Sequence, residues 1–394
     1  MVLFEDALST VLSQGFSIGV ERVDLSDSLG RVLAEDVFSD MDMPPFDKSA
    51  VDGYAWLKQS GDDWTNEPQR VVETIPAGTI PKIALLPGQC SKIMTGAMVP
   101  AGANSVIMVE ETELIDEDFV RFTRTNPSQN ICYRGEDVKT GDQVLQKGLQ
   151  INPAHVAVLA GVGISNPLVA KLPRVGIIST GDELVEPTVI PGKAQIRNSN
   201  AWQLEAQVKA VQALPYYYGI VPDNSAELRK IISFAMEHND VVLLTGGVSM
   251  GDFDFVPAVM EETGIEILFN NIAIQPGKPT VFGRRNQTFI FGLPGNPVSS
   301  FVLFEILVKP FLKRMMGCAN EPLNLSLPMG VDFSRRKSVR KSMIPVIINE
   351  GTVFPVEYHG SAHINAYSIA NGMMVMEIGT TKINKGEQVY VRLL

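Results

Sequence analysis

A chain of 394 residues is long enough for two or three domains. With 45% hydrophobic and 20% charged residues it has the composition of a folded globular protein, which excludes disorder as its main state. A net charge of −11 opposes nucleic-acid phosphates and anionic lipid at long range, so neither is an expected partner. The three cysteines, Cys90, Cys132 and Cys318, lie far apart with no paired spacing. They predict neither a disulfide framework nor a thiolate zinc site, and they fit a reducing cytoplasm. No apolar run approaches the roughly 18 to 20 residues of a membrane helix. The first turns carry Glu5 and Asp6 without a basic flank, so no export signal is expected.

In chain order, Val2, Phe4, Ala7, Leu8, Val11 and Leu12 recur at helical spacing and predict an amphipathic helix ending near Gly15. From 20 to 110 short apolar stretches alternate with Pro and Gly, the texture of a β-rich lobe. Between 172 and 312 the pattern changes. Residues 174–179, 216–221 and 241–244 read as buried strands, and 198–213 and 224–237 read as helices. Alternating strand and helix predict a doubly wound, largely parallel α/β sheet with ligands at the carboxyl ends of its strands. A long apolar helix follows through Phe301, Phe304 and Leu307, then residues 318–328 read as a linker. Residues 331–394 alternate apolar and polar and predict a small terminal β-barrel or sandwich.

The chemistry concentrates at strand-to-loop junctions. Thr245, Gly246, Gly247, Ser249 and Gly251 form a loop whose glycines let backbone N–H groups converge on an anion, and Asp252 and Asp254 follow it. Carboxylates beside a phosphate cradle suit a hard metal such as Mg²⁺. The loop matches neither the Walker A nor the dinucleotide fingerprint. Residues 179–184, with Asp182 and Glu183, leave an earlier strand in the same way, although an N-cap with capping acids explains that piece alone equally well. Pro276-Gly277-Lys278-Pro279 offers a positive charge to a phosphate, and Pro294-Gly295-Asn296-Pro297 forms a second stiffened turn. In the β-rich half, residues 44–55 pack Asp47, Lys48 and Asp52 into a proline-stiffened loop, and Arg134-Gly135-Glu136-Asp137 is a second acidic turn. His155, His238, His359 and His363 form no metal-ligand or triad signature and read as structural or surface residues.

Taken together and in order, residues 29–37, 44–55, 93–97, 134–137, 179–184, 245–254, 276–279 and 293–300 resemble the MoeA-type molybdopterin molybdenumtransferases, a family that includes the E domain of gephyrin. The resemblance spans the chain. It implies a multidomain α/β fold: a discontinuous elongated linking domain (1–45 and 140–170), a β-rich inserted domain (46–139), a molybdopterin-binding α/β domain (171–317) and a C-terminal β-barrel (318–394). It also implies a homodimer that converts adenylated molybdopterin and molybdate into molybdenum cofactor and AMP with Mg²⁺, and a possible adenylyltransferase partner. Carried over by position, Asp52, Thr95 and Asp137 are the β-domain contribution to the site. Glu183, Asp223 and Asp254 are the acids of the α/β side, with Lys278, Pro294 and Pro297 in its loops. Glu183 and Asp254 are expected at the metal, and Asp52 and Asp137 at substrate or water. Where some relatives carry two lysines ahead of Lys278, this chain has Asn271 and Gln275, which leaves molybdate or tungstate as the oxyanion and Arg284, Lys48 or Ser249 as replacement donors. Two rival readings are a non-catalytic binding scaffold and an adenylyltransferase.

Overall fold

The computed structural model describes residues 1–59, 64–65, 67–125, 127–248, 256–319 and 324–394. The chain divides into two compact units, one of residues 36–146 and 154–165, the other of residues 1–35, 147–153 and 166–394.

The smaller unit is built on a six-stranded sheet in the order Ser105–Met108, Gly53–Trp56, Gln89–Ile93, Gln69–Ile75, Phe119–Phe122, Thr112–Leu114. All neighbours are antiparallel except Gln69–Ile75 against Gln89–Ile93. Gly53–Trp56 is buried on both faces, so successive side chains feed two cores. Tyr54 and Trp56 pack with Ile107, Val120 and Phe122, while Ala55 packs with Ile75, Ile93 and Val106. Its loops are tied by short pairings of Lys48–Ser49 with Ile131–Cys132 and of Val37–Phe38 with Gln143–Leu145.

The larger unit carries the α/β sheet, whose strands in chain order are β1 (Arg174–Thr180), β2 (Leu214–Val221), β3 (Val241–Thr245), β4 (Glu266–Phe269), β5 (Val281–Arg285) and β6 (Thr288–Leu293). In space they run β2-β1-β3-β6-β5-β4. The first four are mutually parallel, and β5 and β4 add an antiparallel edge. Both faces are covered, which is why the central strands read as unbroken apolar runs. Val241 and Leu243 of β3 face one core with Val175, Ile177, Phe289 and Phe291. Val242 and Leu244 face the other with Ile178 and Ile290. On the first face lie α1 (Ser199–Ala210) and α4 (Pro297–Leu303). On the second lie α2 (Ser225–His238) and α3 (Val256–Glu262).

The N-terminal helix Phe4–Gln14 places Phe4, Ala7 and Val11 in the core of the first face. Beyond α4 the helix widens into a π segment, Phe304–Val308, before Lys309–Met315. The terminal region is a sheet of Lys341–Asn349, Gly372–Met376, Gln388–Leu393 and Asn324–Pro328, with Thr352–Pro355 on the other edge of Lys341–Asn349. A bridge between Met329 and Val353 closes these strands into a ring. The expected linker over 318–328 is therefore corrected: Asn324–Pro328 is a strand, paired in register with Gln388–Leu393. Its partner lies sixty or more residues away, so no local pattern announces it. Among the described residues no helix is long and apolar enough to cross a membrane.

Candidate functional site

Parallel pairing puts Thr180 beside Val221, Ser179 beside Thr245, and Thr245 beside Leu293. Four adjacent strands thus end at one level, and the loops that leave them meet at the carboxyl edge of the sheet. There they surround a cavity of about 710 Å³. Its lining includes Thr180, Gly181 and Glu183 from the end of β1 and the loop after it, Asp223 after β2, Thr245, Gly246, Gly247 and Val248 from the end of β3 and the loop after it, and Pro294, Gly295, Asn296 and Pro297 after β6. Arg197 from the short strand before α1, Asn198 and Asn200 at the start of α1, Pro279, and Ala362 and Ile364 from the terminal region also line it.

The glycines are there because the loops touch backbone to backbone. Gly246 sits at φ +100°, and a Cβ on it would fall deep inside van der Waals contact with the Thr180 carbonyl oxygen. Gly247, at φ +62°, would place a Cβ 2.9 Å from Val256 Cγ2. The Gly246 N–H donates to Leu293 O, tying the loop after β3 to the end of β6.

Buried amides lock the remaining pieces. Asn198, fully buried, caps α1 by accepting from Ala201 N, and its Nδ2 donates to Ser179 Oγ and Tyr217 OH. Tyr217 OH in turn donates to Glu186 Oε1 at 2.6 Å. Burial, reinforced by that carboxylate, pushes the Tyr217 phenol far up, so it is a fixed donor rather than a titrating group. Asn200 Nδ2 donates to Thr245 Oγ1 at 2.9 Å and to Gly295 O at 2.8 Å, joining two of the cavity loops.

Two carboxylates reach the cavity by different routes. Asp223 is half-buried and accepts from Thr180 Oγ1 at 2.8 Å, while its N–H donates to Asp182 Oδ1 at 3.2 Å. Glu183 is exposed and curls over Gly181, where a Cβ would lie 2.6 Å from Glu183 Oε2. These donors are hard oxygens beside hydroxyl groups, the set that Mg²⁺ prefers when it takes one or two carboxylates plus phosphate and water. Among the described residues no cluster of three or more His, Cys, Asp and Glu side chains forms a cage.

Of the residues expected from sequence, Glu183, Asp223, Thr245, Gly246, Gly247, Pro294 and Pro297 come together in this cavity. Ser249 and Asp254 lie outside the described residues. Lys278 is exposed and is not part of the lining, although its neighbour Pro279 is. Asn271 and Gln275 do not line it either. Arg284, a suggested replacement cation, is engaged elsewhere: it pairs with Glu266 at 2.8 Å and donates to Gln14. Lys48 belongs to the smaller unit.

Asp52, Thr95 and Asp137 also belong to the smaller unit. Asp52 Oδ1 accepts from the Thr95 N–H at 2.7 Å and from Thr95 Oγ1 at 2.8 Å. The Thr95 N–H, then its hydroxyl, hold the Asp52 carboxyl below the usual carboxylate range. Thr95→Val removes only the hydroxyl and is expected to raise the Asp52 pKa part of the way back. A depressed carboxyl contributes stability above its unfolded pKa and loses it as pH falls through the folded one, so the acid limb should also move upward. Carboxyl-carbon NMR titration reads the shift, and an unchanged Asp52 titration contradicts the bond. Asp137 lines a different, more apolar cavity with Met43, Val138, Asp142 and Val158, which includes neither Asp52 nor Thr95.

Sequence reasoning missed Arg197, Asn198, Asn200, Ala362 and Ile364. The Asn-Ser-Asn at the start of α1 carried a usable signal, since two amides bracketing a helix start offer both a cap and a second buried hydrogen-bonding group.

Comparison with known proteins gives the family. The MoeA N-terminal region (domains I and II) matches residues 2–163, a probable molybdopterin-binding domain matches 176–314, and the MoeA C-terminal region (domain IV) matches 327–394. The chain belongs to the MoeA family of molybdopterin molybdenumtransferases. It is 33% identical to the molybdopterin molybdenumtransferase of Staphylococcus epidermidis over 99% of this chain and 94% of that one. It is 36% identical to that of Bacillus subtilis over 95% and 90%. The crystal structure of the MoeA protein from Pyrococcus horikoshii OT3 superposes over the full length of both chains, with a TM-score of 0.86 at 31% identity. The MoeA chain described here is a transferase of molybdenum cofactor biosynthesis, and the α/β sheet belongs to its molybdopterin-binding domain.

Proposed function

We propose that this MoeA chain takes adenylated molybdopterin and molybdate as substrates, cleaves the phosphoanhydride and releases molybdenum cofactor and AMP. The observation that carries this reading is the convergence of glycine- and proline-stiffened loops around one cavity holding Glu183 and Asp223. Cleaving a phosphoanhydride calls for dense charge neutralisation and a held substrate geometry. Rigid loops whose glycines admit close approach provide the second. Mg²⁺ supplies the first when bound, neutralising phosphate charge. Glu183 would hold it together with Asp254, and Asp223, already fixed by Thr180, would orient the water shell or the pterin. Lys278 and Ser249 would add contacts to the phosphates.

The protein works as a homodimer in this proposal, with Asp52, Thr95 and Asp137 of a second copy completing the site. Each inactive variant then lacks a different half, so mixing Glu183→Gln and Asp52→Asn chains is expected to restore part of the activity. No recovery after subunit exchange would refute the shared site. The reading as a whole is tested by AMP release from adenylated molybdopterin with molybdate and Mg²⁺. Wild-type protein that releases no AMP would overturn it, and ATP-dependent adenylation of molybdopterin would replace it.

A further inference from the structure

Of the described residues lining the cavity, three are charged: Glu183, Asp223 and a lone cation, Arg197. The residues around Arg197 fix its backbone closely. The pair Ile196–Arg197 runs parallel to Leu184–Val185, with Arg197 opposite Val185, so it stands beside the short strand that directly follows Glu183. Ile196 N donates to Glu183 O, and Asn198 N donates to Val185 O, both at 2.8 Å. The next residue is the buried cap Asn198, which leaves the backbone at Arg197 little freedom.

The side chain is held at one end. Arg197 Nε donates to Val189 O at 3.3 Å, and its two terminal amino groups make no other hydrogen bond or ion pair among the described residues. A guanidinium anchored through Nε keeps a planar two-pronged face available, the geometry that matches two oxygens of a phosphate. In a chain of net charge −11 with two acids in the same wall, such a group favours the binding of an anion in the cavity.

We propose that Arg197 is the residue that recognises the phosphate of the nucleotide part of the ligand in this cavity. The proposal rests on the reading of the cavity as the site for a pterin nucleotide, and it gives Arg197 the phosphate contact that sequence alone assigned to Lys278. Since Arg197 is exposed, its replacement leaves the packed core intact.

The test compares AMP, which carries the phosphate, with adenosine, which lacks it, by calorimetric titration of the full-length protein with Mg²⁺ present. Wild type is expected to prefer AMP by roughly tenfold or more, the worth of a charge-assisted pair. Arg197→Gln should erase that preference while adenosine binding and the melting temperature stay as in wild type. Arg197→Lys should keep part of it, because the charge remains and the fork is lost. The AMP preference of wild type should also weaken with added salt, and that of Arg197→Gln should not. An Arg197→Gln protein that still prefers AMP as strongly as wild type overturns the assignment and leaves the nucleotide site standing. Wild type that binds neither compound overturns both.

Discussion

Gly246→Ala is expected to abolish AMP release and to destabilise the larger unit. The residue holds φ +100°, a conformation that side chains with a Cβ rarely adopt, and the added methyl would drive into the carbonyl oxygen of Thr180. That oxygen belongs to the backbone of β1, so nothing flexible can yield. Strain and overpacking together should cost on the order of 3 kcal/mol or more. To relieve them the loop after β3 must lift away from the loop after β1, and both line the cavity. Gly295 provides the control. An added Cβ there would lie 3.7 Å from Gly246 Cα, an ordinary contact, so Gly295→Ala should keep a near-wild-type melting temperature. Thermal melts and AMP release measured on both variants decide it. A fully active Gly246→Ala protein would show that the close approach of the two loops is not what shapes the site.

Glu183→Gln should reduce turnover about a hundredfold or more while leaving the fold intact. The substitution keeps size and removes charge from an exposed side chain at the cavity wall, so its effect on stability should stay within about 0.5 kcal/mol. Losing a carboxylate that holds a divalent cation should also raise the Mg²⁺ concentration needed for half-maximal rate. Asp182→Asn is the neighbouring control, because Asp182 is exposed, accepts from the Asp223 N–H and does not line the cavity. Loss of activity from Asp182→Asn with none from Glu183→Gln would move the metal site to the other acid of the turn.

How far the sequence could be read depended on whether a feature was local. β1, β3 and α2 were legible because unbroken apolar runs and the helical spacing of Leu228, Ile232 and Ala235 reflect burial that each segment undergoes by itself. The loops after β1, β3 and β6 were legible for a related reason: Gly and Pro appear where strands end, and three such endings on one sheet edge define a cavity. What stayed hidden depends on pairings that the chain makes at long range. Asn324–Pro328 has the polar, proline-containing look of a linker until Gln388–Leu393 supplies its hydrogen bonds. The antiparallel edge of β4 and β5 is fixed by partners across the sheet, and no parallel-sheet pattern predicts it.

The site divides along the same line. Lys278 stood out in sequence because it sits between two prolines, yet only the fold shows that Pro279 faces the cavity while the lysine is exposed. Arg197 lacked any motif, and its importance arises from being beside Val185 on a neighbouring short strand. That Asp52 and Asp137 of the smaller unit act with Glu183 is what the family resemblance alone implies, since no composition or spacing argument connects them.

The most direct measurement is a crystal structure with adenylated molybdopterin bound. The pterin nucleotide is expected within the cavity lined by Thr180, Gly181, Glu183, residues 245–248 and residues 294–297, with Glu183 and Asp223 at the phosphates and their metal. A ligand bound at full occupancy elsewhere on the protein, with this cavity holding only solvent, would contradict the account.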